Sequence, residues 1–464
     1  MSEELHGTIT IDEERIMKAL EHAEEDAVQV REVLAKALEL KGLNADEATV
    51  LMRIQSPELE EELFETARKV KDEIYGRRLV LFAPLYVSNL CANDCTYCAF
   101  RAGNKAVKRR ALNYEEVIEE TRILINQGHK RVLLVAGESY PKEGIDYVLK
   151  CIDTIYSVKS EWGEVRRINV NLAPLSLDEF KRLKERRIGT FQLFQETYHR
   201  ETYSKVHISG KKRDFDWRIT AMDRAMLAGI DDVGIGVLFG LYDWRFDVLA
   251  LLQHNNHLEE RFGVGCHTIS VPRIEPAVGA EVSEHPPVPV NDRDFKKLIA
   301  ILRLTVPYTG IILSTRENPE MRREALAMGV SQISAGSRTN PGGYHEEAYE
   351  MSQFSLGDHR SLDEVVEDIA HMGYIPSFCT GCYRLGRTGK DFMDLAKPGL
   401  IKHYCEINAL STFTEFLEHF ASPITKEVGD KLVDKIVSEQ PATRKERANN
   451  VVQKVRAGER DVYV

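Results

Sequence analysis

Residues 79–101 read LVLFAPLYVSNLCANDCTYCAFR, an apolar run followed by a polar loop with three cysteines. The apolar and β-branched residues from Leu79 to Val87 predict a buried strand. The loop after this strand carries Cys91, Cys95 and Cys98. We expect this loop to carry the chemistry of the protein.

The spacing Cys-x3-Cys-x2-Cys, with no fourth cysteine nearby, favours an iron-sulfur cluster. Three thiolates on a four-iron cubane leave one iron open to an outside ligand, which is typical of a catalytic site. A zinc knuckle and disulfides are the alternatives. Zinc requires a fourth Cys or His at short spacing, for which Asp94 is a poor substitute. Disulfides do not suit a chain without an export signal.

The cysteine triad, with the aromatic Tyr97 just before its last cysteine, resembles the signature of the radical S-adenosylmethionine (SAM) superfamily. The resemblance implies that the triad holds a 4Fe-4S cluster and that the amino and carboxylate groups of SAM chelate its open iron. Reduction of the cluster would then release a 5'-deoxyadenosyl radical. Tyr97 and Phe100 are expected beside the adenine of SAM.

The composition is that of an ordinary soluble protein, with 43% hydrophobic and 29% charged residues over 464 residues. The net charge of -11 argues against nucleic acid as the main partner. No apolar run approaches the roughly 20 residues of a membrane helix, and the polar first 30 residues do not resemble a signal peptide. We therefore expect a cytoplasmic protein whose eight cysteines are ligands or packed thiols.

Strands and amphipathic helices alternate from Leu79 onward, which predicts an α/β fold. Eight such units over about 260 residues predict a complete (β/α)8 TIM-type barrel, with active-site residues just after the strand C-termini. The candidate strands are 79–87, 131–136, 166–172, 190–195, 232–239, 266–271, 309–314 and 331–335.

We predict three domains: an N-terminal helical segment (1–76), the barrel (77–342) and a mostly helical C-terminal domain (343–464). The first segment is expected to contain three helices, the last of them starting at Ser56-Pro57 and stopping at Gly76.

Gly137 and Glu138 follow the second predicted strand. Alone, this dipeptide indicates a turn. In a radical SAM barrel it resembles the Gly-Glu motif that holds the SAM amino group.

Polar residues near the next strand ends are candidates for the ribose and the methionine end of SAM. Any one of them could equally be a helix cap or a surface ion pair. Arg213 is the rival of Arg218 for the SAM carboxylate, since arginine pairs with carboxylates in a bidentate way. The set is Asn171, Glu196, Arg218 and Arg213.

The loops after strands seven and eight carry hydroxyls and arginines, which suit an amino-acid carboxylate. A phosphate-type anion site is the alternative. The loops resemble those of the aromatic amino acid lyases of the superfamily, which cleave free tyrosine or tryptophan. Arg316 would then bind the substrate carboxylate, with Ser314 and Ser337 as helpers.

A second cysteine motif, Cys379-Thr-Gly-Cys382, is followed by Cys405 after 22 residues. Its chemistry fits either a structural zinc completed by His371 or His403, or a second iron-sulfur cluster.

The pattern Cys-x2-Cys-x22-Cys after such a barrel resembles the HydG family of tyrosine lyases, which mature FeFe hydrogenases. The resemblance covers residues 79 to about 420 and implies a second cluster whose open corner connects to an extra labile iron. That iron takes a histidine ligand, for which His267 is the first candidate and His257 the second. A buried, hydrogen-bonded histidine is the alternative for each. Cys151 and Cys266 are expected to be inert buried thiols.

The resemblance implies that L-tyrosine is cleaved at its Cα–Cβ bond to p-cresol and dehydroglycine. Dehydroglycine would travel to the second cluster and be split there into CO and cyanide for the hydrogenase active site. If that cluster lies at the opposite end of the barrel, we expect a channel through the barrel interior. The alternatives are a 2-iminoacetate synthase of thiamine biosynthesis and a non-enzymatic iron-sulfur carrier. Expected partners are other hydrogenase maturation proteins and an electron donor such as ferredoxin or flavodoxin. The basic stretch 101–110 either docks that donor or is a solvated loop.

Overall fold

The N-terminal segment contains four helices within the described residues, where the sequence predicted three. The computed structural model describes residues 9–21, 24–346, 351–397 and 400–464. The four helices are α1 (Glu13–Leu20), α2 (Ala27–Ala37), α3 (Ala45–Met52) and α4 (Pro57–Tyr75). The prediction missed α3 because its residues 48–52 are buried in succession, without the usual three- and four-residue spacing. As predicted, α4 follows Ser56 and stops at Gly76, which has a positive φ of 63°.

Eight parallel strands form a closed barrel, which confirms the predicted TIM-type fold. Every predicted strand lies within two residues of the observed one at each end. The last strand closes the barrel by pairing with the first, Val80 opposite Gln332 and Phe82 opposite Ser334. The strands are β1 (Arg78–Ser88), β2 (Arg131–Ala136), β3 (Arg167–Asn171), β4 (Phe191–Glu196), β5 (Val233–Val237), β6 (Thr268–Ser270), β7 (Gly310–Leu313) and β8 (Gln332–Ser334).

Helices surround the barrel between these strands. A two-residue hairpin, with strands at Lys159–Ser160 and Gly163–Glu164, precedes β3, and a short 3-10 turn at Lys211–Arg213 precedes α9. The helices are α5 (Tyr114–Asn126), α6 (Ile145–Ser157), α7 (Leu177–Glu185), α8 (Arg200–Val206), α9 (Phe215–Ile219), α10 (Ala221–Leu227), α11 (Trp244–Phe262), α12 (Glu281–Glu284), α13 (Asp292–Thr305) and α14 (Pro319–Met328).

The long first strand connects the two ends of the barrel. All residues of β1 except Arg78 are buried, because helices cover its outer face and the barrel interior its inner face. Its C-terminal half pairs with β2 from Ala83 onward and leads into the three-cysteine loop. We call the end of the barrel at the strand C-termini the upper mouth, and the opposite end the lower mouth.

The C-terminal region is mostly helical, as predicted, but contains one short strand that the sequence did not indicate. This strand, β9 (Ile375–Ser377), has a central proline and lacks an alternating pattern. It pairs with residues 78–80 of β1 and so places Cys379 at the lower mouth. The helices are α15 (Gly343–Glu346), α16 (Leu362–His371), α17 (Gly381–Arg384), α18 (Gly389–Ala396), α19 (Lys402–His419), α20 (Pro423–Glu439) and α21 (Ala442–Arg456). None of the helices in the described ranges is long and apolar enough to cross a membrane.

Candidate functional site

The three-cysteine loop is held in shape by the segment that follows α8. The backbone amide of Thr96 donates to the carbonyl of Val206, and the backbone amide of Ile208 donates to the carbonyl of Asp94. Both hydrogen bonds are 3.0 Å long. The Asp94 carboxylate also pairs with Arg101 at 2.5 Å. The two backbone contacts join residues more than 100 positions apart, so no local sequence pattern indicates them.

The three thiols of this loop are protected from water to different degrees. Cys95 is buried, whereas Cys91 and Cys98 are partly exposed to the space above the barrel. Burial raises the pKa of Cys91 to about 11 and also raises the pKa values of Cys95 and Cys98. Without metal the thiols are therefore neutral near pH 7, and binding of a cluster would release their protons.

The loop closes one side of a cavity at the upper mouth, which we call the upper cavity. Its volume is about 190 Å³, and twelve residues predicted for SAM, cluster or substrate binding line it. They are Cys91, Cys95, Tyr97, Cys98, Phe100, Gly137, Glu138, Asn171, Glu196, Arg218, Ser314 and Arg316.

Two acidic and two basic side chains form a buried network on one wall of the upper cavity. Arg218 donates to Glu138 at 2.8 Å and lies 3.5 Å from Glu196. Lys212 pairs with Glu196 at 2.6 Å. Burial opposes the charge of Glu138, but Arg218 and Lys212 outweigh burial and hold its pKa below the usual value. The network has no net charge, and it offers both a carboxylate and cations to a zwitterionic ligand.

Two backbone features shape this wall. A Cβ at Gly137 would lie 2.2 Å from the carbonyl oxygen of Leu90, so only glycine fits there. Glu196 has a φ of 74°, which is uncommon for a residue other than glycine. Buried Asp247 holds the turn after Glu196, since it accepts hydrogen bonds from the hydroxyl of Thr197 and the amide of Tyr198.

The structure places two of the predicted site residues outside the lining of the upper cavity. Arg213 is exposed on its 3-10 turn and does not line the upper cavity, whereas its neighbour Lys212 is buried in it. The turn points consecutive side chains in different directions, and Lys212 is the one that reaches Glu196. Ser337 is buried but lies outside the residues that line the cavity, so the helper role proposed for it is not supported.

The predicted aromatic residues lie beside the cysteine loop. The hydroxyl of Tyr97 is hydrogen-bonded to Nε2 of His207 at 2.7 Å, a partner that the sequence did not indicate. Phe100 packs edge-on against Tyr86, with ring centroids 6.1 Å apart.

Arg316 reaches the upper cavity from the loop after β7. Its guanidinium lies 3.3 Å from the ring centre of Phe354, and its side chain donates to the carbonyl of Arg273 at 3.4 Å. Ser314 also lines the cavity, and its hydroxyl accepts from the amide of Arg316 at 3.4 Å. Arg316 therefore brings a positive charge to the side of the cavity opposite the charged network.

A second, smaller cavity of about 40 Å³ lies at the lower mouth, and we call it the lower cavity. Cys379, Cys382, Cys405 and His267, the residues predicted for a second metal site, all line it. A hydrogen bond from Cys382, assisted by nearby arginines against the effect of burial, lowers the pKa of Cys405 below its usual value.

His267 has a polar neighbour close to each of its ring nitrogens. Its Nδ1 lies 3.4 Å from a carboxylate oxygen of Asp232, and its Nε2 lies 3.3 Å from the hydroxyl of Tyr383. Burial lowers the pKa of His267, so the ring is neutral and suited to bind a metal.

The other histidines considered do not line the lower cavity. His257 pairs with Asp223 at 2.8 Å, His371 is largely exposed beside Glu367, and His403 is hydrogen-bonded to Arg444.

Buried polar atoms without partners mark the lower cavity as a site for a polar group. They include the Nε atoms of Arg78 and Arg131 and Nδ1 of His267, which lies 3.4 Å from Asp232 without forming a hydrogen bond. Among the described residues, no three His, Cys, Asp or Glu side chains surround a single point at which one metal ion would bind. The fit of a cluster therefore rests on the three thiols, their burial and the adjacent neutral imidazole.

The two cavities are separate in the part of the chain that the structure describes, and successive inward-facing residues of the same strands line them. Gln332 lines the lower cavity and Ser334 the upper one, two residues further along β8. Val80 and Phe82 on β1 show the same arrangement. Two residues of strand correspond to roughly 7 Å.

Comparison with known proteins places the chain in a family. The model of the radical SAM superfamily matches residues 85–252, and that of the biotin and thiamin synthesis associated domain matches residues 270–375. A solved structure of HydG, a maturase of the FeFe-hydrogenase, is 48% identical with a TM-score of 0.95 and covers 98% of this chain and 99% of its own. The chain belongs to the HydG family of the radical SAM superfamily. Its members are radical SAM enzymes, for which a 4Fe-4S cluster and SAM are the cofactors.

Two further relatives are similar to this HydG-family chain. The HydG maturase from Carboxydothermus hydrogenoformans is 41% identical, with a TM-score of 0.82, and covers 95% of this chain and 97% of its own. The 2-iminoacetate synthase of Escherichia coli (strain K12) is 32% identical over 356 residues, which are 76% of this chain and 92% of that protein.

Proposed function

We propose that this chain is a tyrosine lyase that supplies CO and cyanide for the active-site cluster of an FeFe hydrogenase. The observation that carries the proposal is the presence of two cysteine sites at opposite mouths of one barrel, in a chain that aligns with HydG over nearly its whole length. A single-site enzyme would not need the lower one.

At the upper mouth, Cys91, Cys95 and Cys98 would hold the 4Fe-4S cluster. Bound together, the cluster and SAM would supply a 5'-deoxyadenosyl radical that takes a hydrogen from the amino group of tyrosine. Glu138 would accept the SAM ammonium, and Lys212 or Arg218 would pair with the SAM carboxylate. Their ion pairs in the structure, Arg218 with Glu138 and Lys212 with Glu196, support these roles, because each side chain already faces an opposite charge in the cavity.

Arg316 would bind the carboxylate of L-tyrosine, with the hydroxyl of Ser314 beside it. Its positive charge lies in the cavity and is stacked on an aromatic ring, with no ion-pair partner at hydrogen-bonding distance in the described residues. The apolar walls of the cavity exclude water from the tyrosine while its Cα–Cβ bond breaks to p-cresol and dehydroglycine.

At the lower mouth, Cys379, Cys382 and Cys405 would hold a second cluster, and His267 the labile iron attached to it. Together these would supply the chemistry that splits dehydroglycine into CO and cyanide. The residues fit, since the thiols surround one cavity and the imidazole is neutral with an ordered neighbour on each ring nitrogen. Dehydroglycine would have to pass the level of the barrel that contains Gln332 and Val80 to reach this site.

The 2-iminoacetate synthase of Escherichia coli supports a second candidate function, tyrosine cleavage that stops at dehydroglycine. The cysteines and histidine of the lower cavity favour the first.

An anaerobic assay of the iron-reconstituted protein with SAM, dithionite and tyrosine distinguishes the two. We expect p-cresol together with CO and cyanide. Formation of p-cresol without CO or cyanide would favour the second candidate, and no p-cresol would overturn both.

A further inference from the structure

A short strap of the C-terminal region crosses the upper mouth and contacts the three-cysteine loop. The strap, Met351–Gly357, is fixed by backbone hydrogen bonds to both sides of the mouth. The amide of Gln353 donates to Thr339 at 3.0 Å, and that of Gly357 donates to Thr315 at 2.9 Å. Its apolar side chains pack in the same cluster as Phe100 of the cysteine loop.

The side chain of Gln353 in the strap forms a hydrogen bond with Cys98. Its Nε2 donates to Sγ of Cys98 at 3.7 Å, and its Oε1 accepts from the hydroxyl of Tyr86 at 2.7 Å. A thiolate can only accept, so Tyr86 selects the amide orientation in which the NH2 group faces the sulfur. The backbone carbonyl of Gln353 also accepts from the amide of Ala99 at 3.4 Å, which ties the residue directly to the cysteine loop.

We propose that Gln353 is a positioning residue that raises the reduction potential of the first cluster through its hydrogen bond to Cys98. The inference rests on the proposed function, in which Cys98 is a cluster ligand. One-electron reduction adds negative charge to a cluster, and a donor at a ligand sulfur stabilises the reduced form more than the oxidised form. The electron comes from an external reductant such as dithionite, and no bond in Gln353 is made or broken.

The strap also connects this hydrogen bond to the substrate pocket. Phe354, the next residue, is the ring on which Arg316 lies. A tyrosine carboxylate that moves Arg316 would therefore shift Phe354 and, through the backbone, Gln353. Tyrosine should change the potential of the wild-type cluster and have little effect on a cluster that has lost the Gln353 donor.

The test is an EPR-monitored redox titration of the full-length reconstituted protein, with the first cluster identified as the signal that changes on addition of SAM. Gln353→Met keeps the length of the side chain but removes the donor. We expect its ratio of reduced to oxidised cluster at a fixed potential to fall roughly threefold to tenfold, where tenfold corresponds to about 59 mV for one electron. Ser355→Ala, an exposed position on the same strap, is the matched control and should leave the potential unchanged.

An unchanged potential in Gln353→Met with full iron content would overturn the inference. If that variant does not hold its cluster, Tyr86→Phe decides, because it keeps Gln353 but removes the bond that orients it. A smaller shift in the same direction supports the inference, and no shift overturns it. Failure of the proposed function would give a different result. If the three-cysteine loop did not hold the first cluster, the SAM-sensitive EPR signal would survive in Cys91→Ala.

Discussion

Replacement of Lys212 by methionine tests the charged network of the upper cavity. The change removes the cation 2.6 Å from Glu196 and leaves that carboxylate with Arg218 at 3.5 Å as its only near cation among the described residues. The network then carries a net charge of -1 in a buried setting. Breaking a buried ion pair costs about 3–5 kcal/mol, and we expect the lower end because Arg218 compensates in part.

The same change should weaken SAM binding, because the methionyl carboxylate loses one of two available cations. A hydrogen bond between charged groups is worth about 1.5–3 kcal/mol, so the Kd for SAM should rise roughly 10- to 150-fold. Equilibrium binding of SAM to the anaerobic reconstituted protein measures this effect, and denaturant unfolding of the apo-protein measures the change in stability.

Arg213→Met is the matched control, since Arg213 lies on the same 3-10 turn but is exposed. It should change stability by less than about 0.5 kcal/mol and leave SAM affinity unchanged. Weaker SAM binding in Arg213→Met together with normal binding in Lys212→Met would refute the reasoning.

Three further predictions concern the other parts of the molecule. Gly137→Ala should abolish SAM binding, because its Cβ would overlap the carbonyl of Leu90, and an affinity within about threefold of wild type would contradict this. His267→Asn should lower the iron content of the reconstituted protein by about one atom, consistent with one labile iron per chain, whereas His257→Asn, which alters a residue outside the lower cavity, should retain it. Burial raises the pKa of Asp247 from 3.8 to about 7, so the native apo-protein binds this proton more tightly than the unfolded chain. The stabilising effect of this bound proton is complete below pH 3.8 and is lost as the pH rises through about 7. Asp247→Asn should therefore flatten this part of the pH profile of the free energy of unfolding.

The barrel could be predicted from the sequence because its signals are local. Each strand is a short apolar run, and each helix shows three- and four-residue spacing, so both can be found without knowledge of distant contacts. The two cysteine motifs are local in the same sense. The short helix α3 and the strand β9 were missed because neither has such a pattern, and tertiary pairing defines β9.

The residues that complete the site could not be predicted because they reach it from distant parts of the chain. Lys212 and Arg213 are adjacent basic residues, and only the fold shows which one is buried against Glu196. His207 meets Tyr97 across 110 positions, and Gln353 meets Cys98 across 255. Their sequence neighbourhoods contain no motif, whereas Gly137 and Glu138 followed a predicted strand and were found.

The central claim is that the two mouths of the barrel carry out successive steps, and Cys382→Ala tests it most directly. This change removes one thiol of the lower cavity and leaves the upper cavity intact. The reconstituted variant and the reconstituted wild-type protein would be incubated anaerobically with SAM, dithionite and tyrosine. p-Cresol and CO would then be measured in the same samples. We predict p-cresol from both proteins and CO from the wild type alone. Equal CO from the variant would contradict the account, because CO formation would then not require the lower site.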